Sequence, residues 1–208
     1  MFESIQNRIH KRKLVVIFGI ITLSMNFLAH SILSPKSPLI MLGNLCGDLI
    51  KGSKFEGINL HIIEGVKLHR AIDSFTDSHQ LIREAKAIVR PEFKLFSGVV
   101  IDMFLDNFIA KNHSSLENHV NYVYDSAAIY SRELPPSFNK MLKYMEQYNW
   151  LRNYGSTEGL RNIMFQMRRR IGNKSPLDEA VNILISKEET FNYLFMQIWK
   201  EAQSKFSF

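Results

Sequence analysis

The sequence predicts an all-α protein, a single-domain helical bundle, on three observations. Apolar residues recur at helical spacing in stretch after stretch, and no run sustains the period-two alternation of a half-buried strand. The prolines fall between those stretches rather than inside them. The apolar fraction of 46%, with 12% aromatic, is enough to fill a sizeable core in 208 residues, which excludes a disordered chain.

Residues 1–24 stand apart from this pattern. Lys11-Arg12-Lys13 precede an apolar run from Leu14 to Leu23, a pairing similar to the basic and apolar regions of a signal peptide. Ten apolar residues are too few to span a bilayer, which takes about 20, and no A-x-A-like cleavage site follows. The expectation is an upstream extension, with Met25 as the working start, no stable membrane insertion and a domain over 25–208.

From Met25 the elements follow in order. MNFLAHSIL is a short apolar helix carrying His30, broken by Pro35 and Pro38. Leu39 to Lys51 has helical spacing, with Gly43 and Gly47 four apart so that another helix or a ligand can approach closely. Gly52 to Gly57 is a loop, and His61 to Asp77 is the central helix. Leu81 to Val89 is a further helix that Pro91 should stop. Phe93 to Asn112 is the most apolar helix, and Leu116 to Leu134 is amphipathic and rich in tyrosine. After the break at Leu134-Pro135-Pro136, with Ser137 as N-cap, come Phe138–Trp150, Thr157–Ile171, Pro176–Lys187 and Glu188–Lys205. The aromatics of this second half, Tyr144, Tyr148, Trp150, Tyr154, Phe165, Phe191, Tyr193, Phe195 and Trp199, are read as helix-packing residues.

The charge balance excludes more than it suggests. Of the net +6, residues 1–24 supply +3, leaving a mildly basic body that announces no nucleic acid. Arg168-Arg169-Arg170 with Lys174 is either a solvated helix end or a patch for an acidic partner. The lone cysteine, Cys46, forms no internal disulfide and reads as a small core residue, in keeping with a reducing cytoplasm. Nucleotide-binding glycine loops, C-x-x-C pairs and the G-x-S-x-G elbow are absent from the sequence.

Chemistry concentrates on the central helix. His69, Asp73, Thr76 and Asp77 stand at i, i+4, i+7 and i+8, so an imidazole, two carboxylates and a hydroxyl share one stripe. His and Asp are the residue types that a divalent metal asks for; a hydrogen-bonded polar face is the alternative. Asp102 and Asp106 lie i, i+4 on the most apolar helix. Buried carboxylates one turn apart raise each other's pKa unless a cation holds them; the alternative is one exposed Asp and one bonded to a neighbouring helix.

Met25-Asn-Phe-Leu-Ala-His30, Gly43-Asn44 with Gly47-Asp48 and Gly52, Leu68-His69-Arg70 with Ile72-Asp73 and Thr76-Asp77, and Asp102 to Ala110 together resemble the bacterial acyl carrier protein phosphodiesterase family. Leu134-Pro135, Trp150-Leu151 with Tyr154, and Met167 with Arg168-Arg169 follow the same pattern, so the resemblance runs through all of 25–208. It implies a relative of the HD-type metal-dependent phosphohydrolases that removes 4′-phosphopantetheine from the serine of holo-acyl carrier protein. That reaction turns over the prosthetic group in fatty acid biosynthesis. It also implies a divalent ion, manganese first, with magnesium or another divalent ion open. The resemblance puts His30, Asp48, His69, Arg70, Asp73, Asp77 and Asp106 at the family's polar positions. Chemistry then makes His30, Asp48, His69, Asp73, Asp77 and Asp106 the candidate ligands of one or two ions. Arg70, with Lys51 as a further candidate, would neutralise phosphate charge, and Asp102 or a second water would act as general acid. One departure stands out: where the family commonly has Asp-His, this chain has Asp106-Asn107, and Asn is a poor transition-metal ligand and no acid or base. Two other readings stay open: a phosphohydrolase of a nucleotide or other small phosphodiester, or a catalytically weakened protein that only binds acyl carrier protein.

Overall fold

The computed structural model describes residues 26–52 and 55–206; the expectations for residues 1–24 and Met25 lie outside the described residues. Eleven helices are described: α1 Phe27–Ile32, α2 Pro38–Leu45, α3 Leu60–Ser78, α4 Gln80–Phe93, α5 Ser97–Asn112, α6 Leu116–Ile129, α7 Pro136–Gln147, α8 Trp150–Asn153, α9 Thr157–Arg170, α10 Ala180–Ser186 and α11 Glu188–Phe206. No strand occurs among the described residues, so the all-α expectation holds.

Helix α5 is the axis of the molecule. Val99, Val100, Ile101, Met103, Phe104 and Leu105 are all buried, and only a helix enclosed by others can be apolar on every side. Helices α1, α4, α9 and α11 pack on it. The enclosing helices are amphipathic: α4, for example, buries Ile82, Ala85, Val89 and Phe93 and turns Arg83, Glu84, Arg90 and Glu92 outward. One continuous core runs from Phe27 to Ile198, filled by large side chains such as Phe93, Phe104, Phe138, Trp150, Tyr154, Phe191 and Phe195. A small satellite cluster of Leu33, Ile72, Ala202 and Phe206 ties α11 to α3 beside the site.

Element boundaries depart from expectation where local chemistry intervenes. The segment read as one helix from Leu39 to Lys51 ends at Leu45, and Gly47–Leu49 form a tight 3₁₀ turn instead. Helix α4 runs through Pro91 to Phe93. Pro91 forfeits only the bond to the Ala87 carbonyl, which sits on the exposed face where water serves it, while buried Phe93 anchors the last turn. Ser137 lies inside the first turn of α7 and does not cap it; Pro135 holds the N-cap position and Pro136 starts the helix. Asn149 takes a left-handed conformation (φ 52°), which splits the expected Phe138–Trp150 helix into α7 and the short α8. Of the aromatics read as packing residues, Trp150, Tyr154, Phe191 and Phe195 are buried, whereas Tyr148, Phe165 and Tyr193 are exposed. Cys46 is fully buried, and burial pushes its thiol up to about 12, as suits a core residue.

Candidate metal centre

The site is assembled by an unusually close contact between α2 and α3. A Cβ on Gly43 would collide with the carbonyl oxygen of Ile62, and a Cβ on Gly65 with that of Ile40, so the two backbones touch where neither helix carries a side chain. The turn that leaves α2 is thereby brought under His69. A Cβ on Gly47 would lie 2.6 Å from both Cβ and Cδ2 of His69, so the imidazole is seated directly on the main chain there. The next residue in that turn is Asp48.

Three of the sequence-predicted ligands meet at one point. The ligand atoms of His30, His69 and Asp73 all lie within 4.8 Å of one another. Asp73 offers one oxygen to each ring: Oδ1 is 3.3 Å from His30 Nε2 and Oδ2 is 3.3 Å from His69 Nε2. Asp48 Oδ1 stands 3.3 Å from His69 Nε2 on another side. The rings of His30 and His69 face each other with centroids 4.5 Å apart. Both histidines are buried, yet His30 Nε2 and His69 Nε2 have no well-aligned hydrogen-bond partner. For metal–ligand bonds of about 2.1 Å, neighbouring donors stand about 3.0 Å apart in an octahedron and about 3.4 Å in a tetrahedron. The 3.3 Å separations at the two otherwise orphaned nitrogens lie in that range, while the set as a whole spreads to 4.8 Å, so a divalent ion would draw these donors together.

The tautomer of His30 points the same way. Asn44, fully buried, donates from Nδ2 to the His30 carbonyl (2.8 Å) and to Ser34 Oγ (2.9 Å). A carbonyl can only accept, so the amide orientation is set and Oδ1 faces His30 Nδ1 at 2.7 Å. His30 Nδ1 must then carry the proton, which leaves the Nε2 lone pair directed at Asp73. A lone pair opposite a carboxylate oxygen is repulsive unless a cation or a proton stands between them, and this hydrogen-bonded arrangement of the distal nitrogen is how ligating histidines are oriented. In the metal-free chain, a proton on His69 fills that role for the second ring. Burial pulls His69 down, but the carboxylates of Asp48 and Asp73, which face Nε2 as acceptors and carry negative charge, prevail and hold it up at about 10. Burial likewise raises Asp73, but the two imidazoles that face its oxygens prevail and keep its carboxyl well below the usual range.

The remaining candidates surround this cluster in different roles. Asp77 lies one turn beyond Asp73 and pairs with Lys86 of α4 at 3.3 Å. Asp102 is half-buried on α5. Burial pushes its carboxyl up to about 8, with Lys86 opposing and Asp73, Asp77 and Asp48 adding to the rise. Asp106 is not brought into the cluster. Its two oxygens accept the backbone N–H groups of Leu28 (3.0 Å) and Ala29 (2.9 Å) at the N-terminus of α1. Burial raises its carboxyl well above the usual range while those two bonds draw it down. Arg70, 100° round α3 from His69, turns away: Nη2 donates to the carbonyls of Ile50 (2.9 Å) and Gly52 (2.8 Å), pinning the segment that carries Asp48. Asn107 also points elsewhere, donating to the Tyr154 carbonyl across the core. Of the basic run, Arg168 pairs with Asp178 at 3.0 Å and Arg170 lies over the Tyr144 ring at 3.9 Å.

The model of the family described as acyl carrier protein phosphodiesterase matches residues 25–202. The chain belongs to the acyl carrier protein phosphodiesterase family. Curated relatives of that name include one from Enterobacter sp. (strain 638), 27% identical over 152 residues, 70% of this chain and 79% of the relative. A second, from Photorhabdus laumondii, is 24% identical over 187 residues, 87% of this chain and 94% of the relative. A third, from Salmonella agona, is 28% identical over 152 residues, with 70% and 79% covered. No solved structure matches. Two residues beside the cluster, Asn44 and Lys86, are not among the candidate ligands. Asn44 has no periodic signal in the sequence, because a buried amide stands outside the apolar pattern. Lys86 has one: it follows Ile82 by four and precedes Val89 by three, so it sits in the stripe where α4 should be apolar.

Proposed function

We propose that this chain is a metal-dependent phosphodiesterase that cleaves 4′-phosphopantetheine from the serine of holo-acyl carrier protein, with His30, His69 and Asp73 holding a divalent ion and Asp48 at its edge. The observation that carries the reading is the convergence of two buried, unpartnered Nε2 atoms on the two oxygens of one aspartate. Two imidazoles with carboxylates suit manganese or another transition ion better than calcium.

When bound, such an ion supplies Lewis acidity toward a phosphoryl oxygen and activation of water. The chain's own residues do the rest. Asn44 holds the neutral His30 ring in the tautomer with its proton on Nδ1, so that Nε2 presents a lone pair. Asp73 would help hold the ion, and Arg70 acts as a positioning residue by anchoring the main chain at Ile50 and Gly52, beside Asp48. Asp106 holds the first turn of α1, and with it His30, against α5. Asp77 extends the acidic edge. Asp102, kept protonated near neutral pH by burial and its acidic neighbours, can pass its carboxyl proton to the departing serine oxygen. Asn107 spends its amide on Tyr154, which supports its being a packing substitution and not a lost ligand. The protein substrate is acidic and the work is cytoplasmic in this reading. Among the described residues no helix is long and apolar enough to cross a membrane.

The test is intact mass spectrometry of a holo-acyl carrier protein incubated with the full chain and manganese, beside a chelator control. Loss of the phosphopantetheine mass only with metal present is the expected result. An unchanged protein mass would refute the proposal, and turnover of an aryl phosphodiester in the same sample would then point to a small-molecule substrate.

A further inference from the structure

With Arg70 committed to the main chain, the positive charge that a phosphodiester would meet at this site must come from another residue. We propose that Lys86 is that residue, a catalytic lysine whose ammonium binds a phosphoryl oxygen of the substrate; the assignment rests on the phosphodiesterase reading above.

Three observations lead to it. Lys86 projects from the flank of the buried stripe of α4, and its stem is laid across α5: a Cβ at Gly98 would stand 3.9 Å from Lys86 Cε. Only 22% of the side chain is exposed, so the ammonium is directed and not left to wander in solvent. Its Nζ lies 3.3 Å from Asp77 Oδ1, and Lys86 is the foremost charge opposing the rise of Asp102 one turn along α5 from Gly98. The ammonium therefore stands between α3 and α5, at the open edge of the carboxylates.

The local charge requires such a group. Asp48, Asp73 and Asp77 all act on Asp102, and this acidic edge would repel a phosphodiester anion. A divalent ion offsets part of that charge, and more negative charge reaches the phosphoryl oxygens as the ester bond breaks. An ammonium has three N–H donors and Asp77 accepts one, which leaves donors for a phosphoryl oxygen. A compact charge on a flexible stem can follow that oxygen through the displacement.

The experiment compares the full chain with Lys86→Met, which keeps the stem, and Lys86→Arg, which keeps the charge. Lys86→Gln serves as a second neutral variant should the first melt early. Each is measured for manganese affinity by electron paramagnetic resonance and for inorganic phosphate binding to the manganese-loaded protein by calorimetry. Hydrolysis of holo-acyl carrier protein is followed in parallel. Lys86→Met should bind manganese at least as tightly as wild type, bind phosphate roughly tenfold more weakly, and lose roughly 100-fold in kcat/KM, mostly in kcat. Lys86→Arg should stay within about fivefold of wild type in both. Unchanged phosphate binding in the neutral variants, or a fall in manganese affinity that matches the fall in activity, would overturn the proposal in favour of a merely structural ion pair. A wild-type chain inert toward holo-acyl carrier protein would sink the substrate reading instead, and the phosphate calorimetry would still decide Lys86.

Discussion

Replacing Asn44 by Ala should cripple metal binding more than the loss of a small buried side chain would suggest. Three hydrogen bonds depend on this one amide: from His30 Nδ1 at 2.7 Å, to the His30 carbonyl at 2.8 Å and to Ser34 Oγ at 2.9 Å. The His30 carbonyl keeps a donor, because Ser34 Oγ also reaches it at 2.9 Å, but the Nδ1–H is stripped of its acceptor. One buried donor without a partner, together with the lost bonds, costs about 2–4 kcal/mol of stability. At about 2–4 °C per kcal/mol in a domain of this size, the metal-free melting temperature should fall by roughly 5–15 °C. The metal effect is separate. With no acceptor at Nδ1 the His30 proton is free to move to Nε2, and loss of a partner behind a ligating histidine weakens metal affinity by about 10–100-fold. Manganese titration by calorimetry, beside thermal melts with and without metal, reads both. Asn44→Asp retains an acceptor for Nδ1 and should keep more affinity than Asn44→Ala, even though its carboxylate faces the His30 carbonyl. Lower melting temperatures with unchanged manganese affinity in both variants would show Asn44 to be a packing residue and refute the tautomer argument.

Gly47→Ala should lower manganese affinity at least about tenfold and stability by about 1–3 kcal/mol, because a Cβ there displaces the His69 ring; wild-type binding would refute the close seating of the imidazole. Asp106→Asn removes one acceptor from the start of α1 and should cost about 2–3 kcal/mol in urea melts; an unchanged midpoint would remove that residue's assigned role. Adding manganese to about 100 times its Kd should stabilise the protein by about 2.7 kcal/mol, reversed by chelator, and a metal-independent melt would count against the whole centre. His119, bonded to Ser31 Oγ and facing His113 and Tyr122, is pulled down to about 4 by burial, with His113 adding. Between that value and the unfolded value near 6.5 the unfolded chain binds the extra proton, so stability is full above about pH 6.5 and falls toward pH 4. Relative to His119→Gln, wild type should lose about 1–2 kcal/mol over that window after allowing for solvent screening, and superimposable acid slopes would contradict this.

The all-α class and the stripe of α3 were legible because periodicity speaks to single helices: His69 and Asp73 share a face whatever else the chain does. What periodicity does not reveal is where a face points. Arg70 is the neighbour of His69 in sequence and lies 100° away on the helix, so its charge serves the turn before α3 and not the cluster. Asp102 and Asp106 share a stripe on α5, but only the first stands beside the other carboxylates. The second is one turn along, where the amide groups of α1 claim it. Lys86 and Asn44 act through contacts between helices distant in sequence, which no local spacing encodes. The glycines were the most informative residues of this kind: Gly43 and Gly47 announced a close approach, and the approach is that of α3 and His69.

The capping of α1 by Asp106 bears on the order in which the molecule becomes competent. A six-residue helix has no stability of its own in water, so α1 exists only while it is docked. The rest of the site, on α3, α5 and the turn after α2, belongs to the main body and can form first. His30 is held in place by the burial of Phe27, Leu28 and Ala29 and by the pairing of two backbone amides with one carboxylate. Local opening of this short segment would therefore undo the centre while leaving the bulk of the protein native. Since an ion bound between His30 and Asp73 opposes that opening, the exchange rates of the Leu28 and Ala29 amides become a gauge of metal loading.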